Sequence, residues 1–202
     1  MEVYLNDHIE QLDVEKELPL VSEQRRQEAL RYLQERDRRL SLAVYQLLQE
    51  ALKKEYGIID PPQFSFGANG KPMLVDFPQI HFNLSHCNLA ALCVVDKYPV
   101  GCDIEVVPEI LDLDLCHYCF NDKETDAILS APHPTIAFTE QWTKKEAFLK
   151  LTGEGLTDTL PTILDTPLAQ SVSFYTHVAT NQSFVYTICS QNLPHDILES
   201  KK

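Results

Sequence analysis

Between residues 40 and 52 apolar side chains recur at Leu40, Ala43, Val44, Leu47, Leu48, Ala51 and Leu52, the spacing of one face of a helix. A stripe that wide must be covered, so the helix predicted over 37–55 needs an apolar surface against it. Gly57 stops it, and Pro61-Pro62 keeps the next stretch out of helix. A shorter helix is predicted before it, over 22–34. Extended chain lies on both sides. Residues 2–5 read as a short strand. After the turn cluster Gly67-Ala-Asn-Gly70-Lys71-Pro72 come Ile80-His-Phe82 and the run Leu89–Val95. That run, the turn Asp96–Pro99 and the strand Val100–Val107 read together as a hairpin.

The same order returns in outline downstream. Helical segments are predicted at about 109–118, 122–130 and 136–152, and strands at Val172–Ala179 and Phe184–Cys189. The expectation is an α+β chain with a two-lobed, pseudo-repeated build, divided as 1–98 and 99–202. No Gly- or Ser-rich linker separates the halves, so close packing of the lobes is expected.

With 202 residues, 44% of them hydrophobic, the chain can bury a core. No apolar run approaches the roughly 20 residues of a membrane helix. The N-terminus, MEVYLNDHIEQLDVEKE, carries acids early and lacks an apolar core, unlike a signal peptide. A soluble protein of the cell interior is expected, with neither membrane nor nucleic acid as partner, since the net charge is −13. The six cysteines show no paired metal-ligand spacing and read as reduced, mostly buried thiols. Arg25, Arg26, Arg31, Arg36, Arg38 and Arg39 crowd one segment, interleaved with Glu23, Glu28, Glu35 and Asp37. This is either a solvated helix face or, through one or two arginines, an anion site.

Four short segments carry residues suited to chemistry. In Asp103-Ile104-Glu105, residues two apart on a strand share a face, so both carboxylates project together. They form a solvated strand face, or they hold a cation such as Mg²⁺, which takes one or two carboxylates plus substrate phosphates. In Trp142–Leu156, Phe138, Trp142, Leu149 and the more peripheral Phe148 form a packing stripe, with Lys145, Glu146 and Lys150 expected outside most of it. Glu146 and Lys150 are spaced for an i,i+4 ion pair; alternatively Glu146 is a third metal carboxylate and the lysines meet phosphate. Gly153 and Gly155 end that helix. Asn83-Leu-Ser85-His86-Cys87 is either a turn or an anion site. Gly70-Lys71-Pro72 sets a lysine on a stiff turn. Four of the six glycines flank these segments. Three acids, several cations and flexible backbone together suit a pyrophosphate handled with a divalent ion.

The ordered set GKP (70–72), FNLSHC (82–87), PVGCDIE (99–105) and WTKKEAFLKLTGEGL (142–156) resembles the 4′-phosphopantetheinyl transferases, specifically the surfactin-synthetase-type subclass. The resemblance implies a pseudo-symmetric monomer of two α+β lobes, cytoplasmic, binding coenzyme A as substrate in the cleft between them. It implies Mg²⁺, with Mn²⁺ as an alternative, held by Asp103, Glu105 and Glu146. It makes Glu146 the general base for the serine of an apo acyl or peptidyl carrier protein, directly or through a water. Lys150 would stabilise the pyrophosphate and protonate the leaving 3′,5′-adenosine bisphosphate. Lys145 resembles a further phosphate contact. Ser85, His86 and Lys71 match nucleotide contacts, with His86 near the 3′-phosphate. Arg39 best fits a second 3′-phosphate contact, with Arg36 and Arg38 as alternatives. Cys87 and Cys102 depart from the family pattern. Cys102 is expected to point away from the metal, as Ile104 does. Two other functions fit the same acids: a metal-dependent phosphodiesterase or nuclease, which the net charge disfavours for nucleic acid substrates, and an inactive homologue that only binds.

Overall fold

The chain opens with strand β1 (Glu2–Asn6), passes through the short helix α1 (Val14–Glu17) and helices α2 (Glu23–Arg31) and α3 (Glu35–Tyr56), and continues into strands β2 (Phe64–Phe66), β3 (Pro72–Leu74), β4 (His81–His86) and β5 (Ala91–Asp96). Strand β6 (Gly101–Val106) begins the second half. Helices α4 (Leu113–Cys119), α5 (Asp122–Leu129) and α6 (Pro134–Thr152), the short α7 (Pro167–Gln170), and strands β7 (Ser173–Val178) and β8 (Phe184–Ser190) complete it. The computed structural model describes residues 1–155 and 159–194, so Leu156, the last residue of the fourth sequence motif, lies outside the described residues. The chain divides into two compact units, Met1–Tyr98 and Pro99–Lys202.

In the first unit a three-stranded antiparallel sheet runs in the order β1-β5-β4, and α3 lies on it. The predicted stripe of α3 is the face it buries. Leu40, Ala43, Val44, Leu47, Leu48, Ala51 and Leu52 join Phe82, Cys93 and Val95 in one core. Ser22 caps α2 by accepting a hydrogen bond from the Arg25 amide. Gly57 ends α3 in a left-handed conformation, φ 68°, with its amide on Lys53 O and the Ile58 amide on Leu52 O. Strands β2 and β3 make a separate hairpin whose turn, from Gly67 to Lys71, contains Gly70 at φ +81°.

The second unit repeats this topology. Its sheet runs β6-β8-β7, all antiparallel, and α6 lies on it. In both units the first strand is followed by helices and then by the two other strands of its sheet, in the first unit after the β2–β3 hairpin, and the last strand sits in the middle of the sheet. Asn121 and Glu124 form a capping box at the start of α5. Pro134 occupies the first turn of α6, and Gly153 closes it at φ 74°.

Two sequence expectations change. Strands β5 and β6 do not pair. Both edges of β5 are taken by β1 and β4, while β6 pairs with β8. Strand β5 is a nearly continuous apolar run and β6 alternates Cys102 and Ile104 with Asp103 and Glu105; the first pattern specifies burial, the second specifies faces, and neither specifies a partner. The Asn83–His86 segment is strand β4 rather than a turn, because Phe82 and Leu84 alternate into the α3 core opposite β5. All six cysteines are buried. Among the described residues no helix is long and apolar enough to cross a membrane.

Candidate active site

Residues Gly101, Asp103 and Glu105 share the face of β6 that meets α6. Gly101 is required there: a Cβ would fall 2.0 Å from Ala147 O and 2.6 Å from Leu151 N, so only glycine lets helix and strand approach this closely. Cys102 and Ile104 take the opposite face and are fully buried, the orientation expected of Cys102. Asp103 is 2% exposed and lies opposite Thr187 of β8.

Helix α6 brings Glu146 and Lys150 to this face. Lys150 Nζ donates to Asp103 Oδ1 at 2.5 Å, so its ion pair runs to the strand acid. The helix acid Glu146 still feels both charges. Burial raises its pKa and Asp103 raises it further, while Lys150 works the other way. Glu105 is pushed up to about 7, first by burial and then by Asp103; Lys150 and a hydrogen bond from the Trp142 side chain oppose this. For Lys150 burial is the largest single influence and disfavours the charge, yet Asp103, Cys102 and Glu146 together outweigh it and the pKa rises. Asp103, Glu105, Glu146 and Lys150 are thus one electrostatic group.

Among the described residues no group of three or more His, Cys, Asp or Glu side chains is drawn together closely enough to hold a metal ion. The donor set nonetheless suits a hard cation. Three carboxylates sit within reach of one another's charge, partly out of water, and Lys150 supplies the positive charge that Asp103 requires.

Lys145 is placed elsewhere, contrary to the expected exposed phosphate contact. It is fully buried, and its Nζ donates to Glu124 Oε2 at 2.7 Å and to Cys119 O, Leu160 O and Pro161 O at 3.0 Å. The signal was present in the sequence: Phe138, Trp142, Lys145 and Leu149 follow the i, i+4, i+7, i+11 row of one helix face. Sequence reasoning also missed a buried chain of hydroxyls. Thr143 Oγ1 lies 2.8 Å from Thr187 Oγ1, which lies 2.9 Å from Thr176 Oγ1, tying α6 to β8 and β7 beside Asp103. Only the strand register places these threonines together, and no local pattern announces it.

The remaining candidates belong to the first unit. Ser85, buried, and His86, exposed, end β4. Lys71 is half-buried at the β2–β3 turn. Arg39 lies in the second turn of α3 and is paired with Glu35. Arg38 Nε donates to Tyr32 O at 2.9 Å, and Arg36 is exposed.

A sequence model described as the 4′-phosphopantetheinyl transferase superfamily matches residues 99–196. A 4′-phosphopantetheinyl transferase of Bacillus subtilis is 33% identical over 159 residues, covering 76% of this chain and 70% of that protein. One from Bacillus pumilus is 34% identical over 155 residues, 75% of this chain and 66% of its own length. The 4′-phosphopantetheinyl transferase Sfp of Bacillus subtilis strain 168 is 28% identical over 157 residues, 76% of this chain and 70% of that protein. With an acidic strand–helix site built from the motif residues and a duplicated α+β fold, the chain belongs to the 4′-phosphopantetheinyl transferase superfamily, in its surfactin-synthetase-type subclass, and is a transferase of that kind.

Proposed function

We propose that the chain transfers 4′-phosphopantetheine from coenzyme A to a serine of an apo acyl or peptidyl carrier protein and releases 3′,5′-adenosine bisphosphate. The observation that carries this reading is the junction of β6 and α6. There Lys150 is bound to Asp103 while Glu146 and Glu105 hold their protons more tightly than free carboxyls do. Asp103, Glu105 and Glu146 would hold a divalent ion, Mg²⁺ or in its place Mn²⁺, beside the pyrophosphate. When bound, the ion neutralises phosphate charge and makes the bridging oxygen a better leaving group.

The residues of the chain account for the rest. Glu146, with a raised pKa, accepts the proton of the carrier serine, directly or through a water. The serine oxygen then forms its bond to the β-phosphorus of coenzyme A as the bond to the bisphosphate oxygen breaks. Lys150, already in this group of acids, turns its ammonium to the pyrophosphate and donates a proton to the leaving oxygen. In the first unit Arg39, Lys71, Ser85 and His86 bind the nucleotide, with His86 and Arg39 assigned to the 3′-phosphate. The division at residues 98 and 99 then separates nucleotide recognition from the acids that do the chemistry. We leave Lys145 out of the phosphate contacts because its donors are already engaged. The same reading carries a cytoplasmic monomer whose partners are coenzyme A and a carrier protein, with no role for nucleic acid or membrane.

Intact mass spectrometry of an apo carrier incubated with the protein, coenzyme A and MgCl₂ tests this. A gain of one phosphopantetheine that disappears with EDTA is expected. No gain across several unrelated carriers, with coenzyme A still bound, would point instead to a homologue that only binds.

A further inference from the structure

Lys145 stands in a setting unlike that of a ligand-binding cation. Its side chain is 0% exposed. Glu124 Oε2 and the carbonyls of Cys119, Leu160 and Pro161 surround its ammonium, which also lies 4.8 Å from the centroid of the Phe120 ring. An ammonium has three protons. Four acceptors and a ring enclose it, and a phosphate could reach it only by displacing part of the core.

The acceptors come from separate pieces of chain. Cys119 ends α4, Glu124 lies in the first turn of α5, and Leu160 and Pro161 begin a 3-10 turn, Leu160–Asp165. Asn121 joins the same knot. Its amide donates to Glu124 Oε2 at 3.0 Å and its Nδ2 to Pro161 O at 3.3 Å. Glu124 is therefore held twice, once by the capping box and once by the lysine. An uncompensated charge at this depth would be strongly destabilising, which explains why the surrounding carbonyls converge on it.

The consequence for the site follows from helix geometry. Each residue turns about 100° around the axis, so anchoring Lys145 fixes the roll of α6 and with it the directions of Glu146 and Lys150. On the opposite wall Gly101 allows β6 no slack against Ala147 and Leu151. The helix is thus set from two sides.

We infer that Lys145 is a positioning residue: its sequestered ammonium binds Glu124 and the carbonyls of Cys119, Leu160 and Pro161, and so holds α6 in the roll that brings Glu146 and Lys150 to Asp103. This rests on the transferase reading above. It differs from a phosphate contact in what it predicts for Glu124, which among the described residues is linked to the site through Lys145.

The test compares Lys145→Met, Glu124→Gln and the double variant with the wild-type protein, measuring kcat and the KM for coenzyme A. Each single variant lowers kcat by about 10- to 100-fold, as loss of a supporting partner commonly does, with the KM for coenzyme A little changed. The double variant is no worse than Lys145→Met alone. A rise in KM confined to Lys145→Met, with Glu124→Gln at wild-type kcat, would overturn the inference. If Lys145→Met does not fold, Glu124→Gln decides, since that carboxylate is 20% exposed and its amide keeps the shape. A second readout needs no transfer. Limited acetylation followed by peptide mass mapping leaves Lys145 unmodified in the wild-type protein and modified in Glu124→Gln. Ready labelling of Lys145 in the native wild type would also overturn the inference. Failure of the wild type to modify any carrier would instead remove the transferase reading, and the labelling result would still stand.

Discussion

The two units share one topology and differ in what their long helix buries. Under α3 the sheet of the first unit meets an apolar face in which Leu42, Ala43, Tyr45, Leu48 and Ala51 are fully buried. Under α6 the second unit buries Thr143, Lys145 and Thr187 completely and Asp103 almost completely, alongside Phe148 and Leu149. The first interface is stabilised chiefly by hydrophobic burial, with the Tyr45 hydroxyl bonded to Pro62 O. The second needs hydrogen bonds and ion pairs for each polar group it hides. A duplicated scaffold therefore leaves one copy free to be stable while the other gives up part of its apolar core for charged groups next to one another.

The sharpest way to break this comparison is to remove one charge from the second interface. Lys150→Met should cut transfer by about 10²- to 10³-fold, the range for losing a preorganised charge-stabilising group. It should also lower the melting temperature, because Asp103 loses the cation at 2.5 Å. A variant with normal transfer would remove Lys150 from the chemistry.

A change of the opposite character belongs in the first interface. Leu48→Ala should cost about 2–5 kcal/mol in denaturant unfolding, yet leave the turnover of the folded fraction close to wild type. If turnover fell as steeply as in Lys150→Met, stability and chemistry would not be divided between the units in this way.

The smallest effect concerns pH. A carboxyl whose folded pKa lies above its unfolded one binds more protons when folded, so its contribution favours the fold at low pH and is lost as pH rises between the two values. For Glu105 that window runs from the ordinary carboxyl value of 4.5 to about 7. Metal-free protein should lose stability across it, and Glu105→Gln should flatten the slope. A slope unchanged by that substitution would show that Glu105 is not held in this state.

Much of this was legible in the sequence, for physical reasons that can be named. The α3 stripe, the Gly57 and Gly153 stops, and the alternation in Asp103-Ile104-Glu105 are local patterns, and each matches what the backbone does. Pairing is not local. Nothing in the run Ala91–Val95 says that β1 and β4 occupy its edges, so a hairpin with β6 looked reasonable from adjacency alone. The partner of Lys150 was hidden in the same way. Glu146 is four residues distant on the helix, yet Asp103, 47 residues away in sequence, takes the ammonium. Lys145 was misplaced for another reason: a lysine is normally read as solvent-facing, and its position in the row of Trp142 and Leu149 was outweighed by its charge.

Glu146 is the residue on which the proposed chemistry turns. Single-turnover transfer by Glu146→Gln, at saturating coenzyme A and carrier and with the melting temperature followed in parallel, isolates the proton acceptor from the fold. The expected result is a loss of about 10²- to 10⁴-fold, the range for a general base, with the melting temperature unchanged or raised, since the amide removes a carboxylate that burial and Asp103 disfavour. Transfer within a few-fold of wild type would contradict the central claim that the acids at the β6–α6 junction carry the reaction.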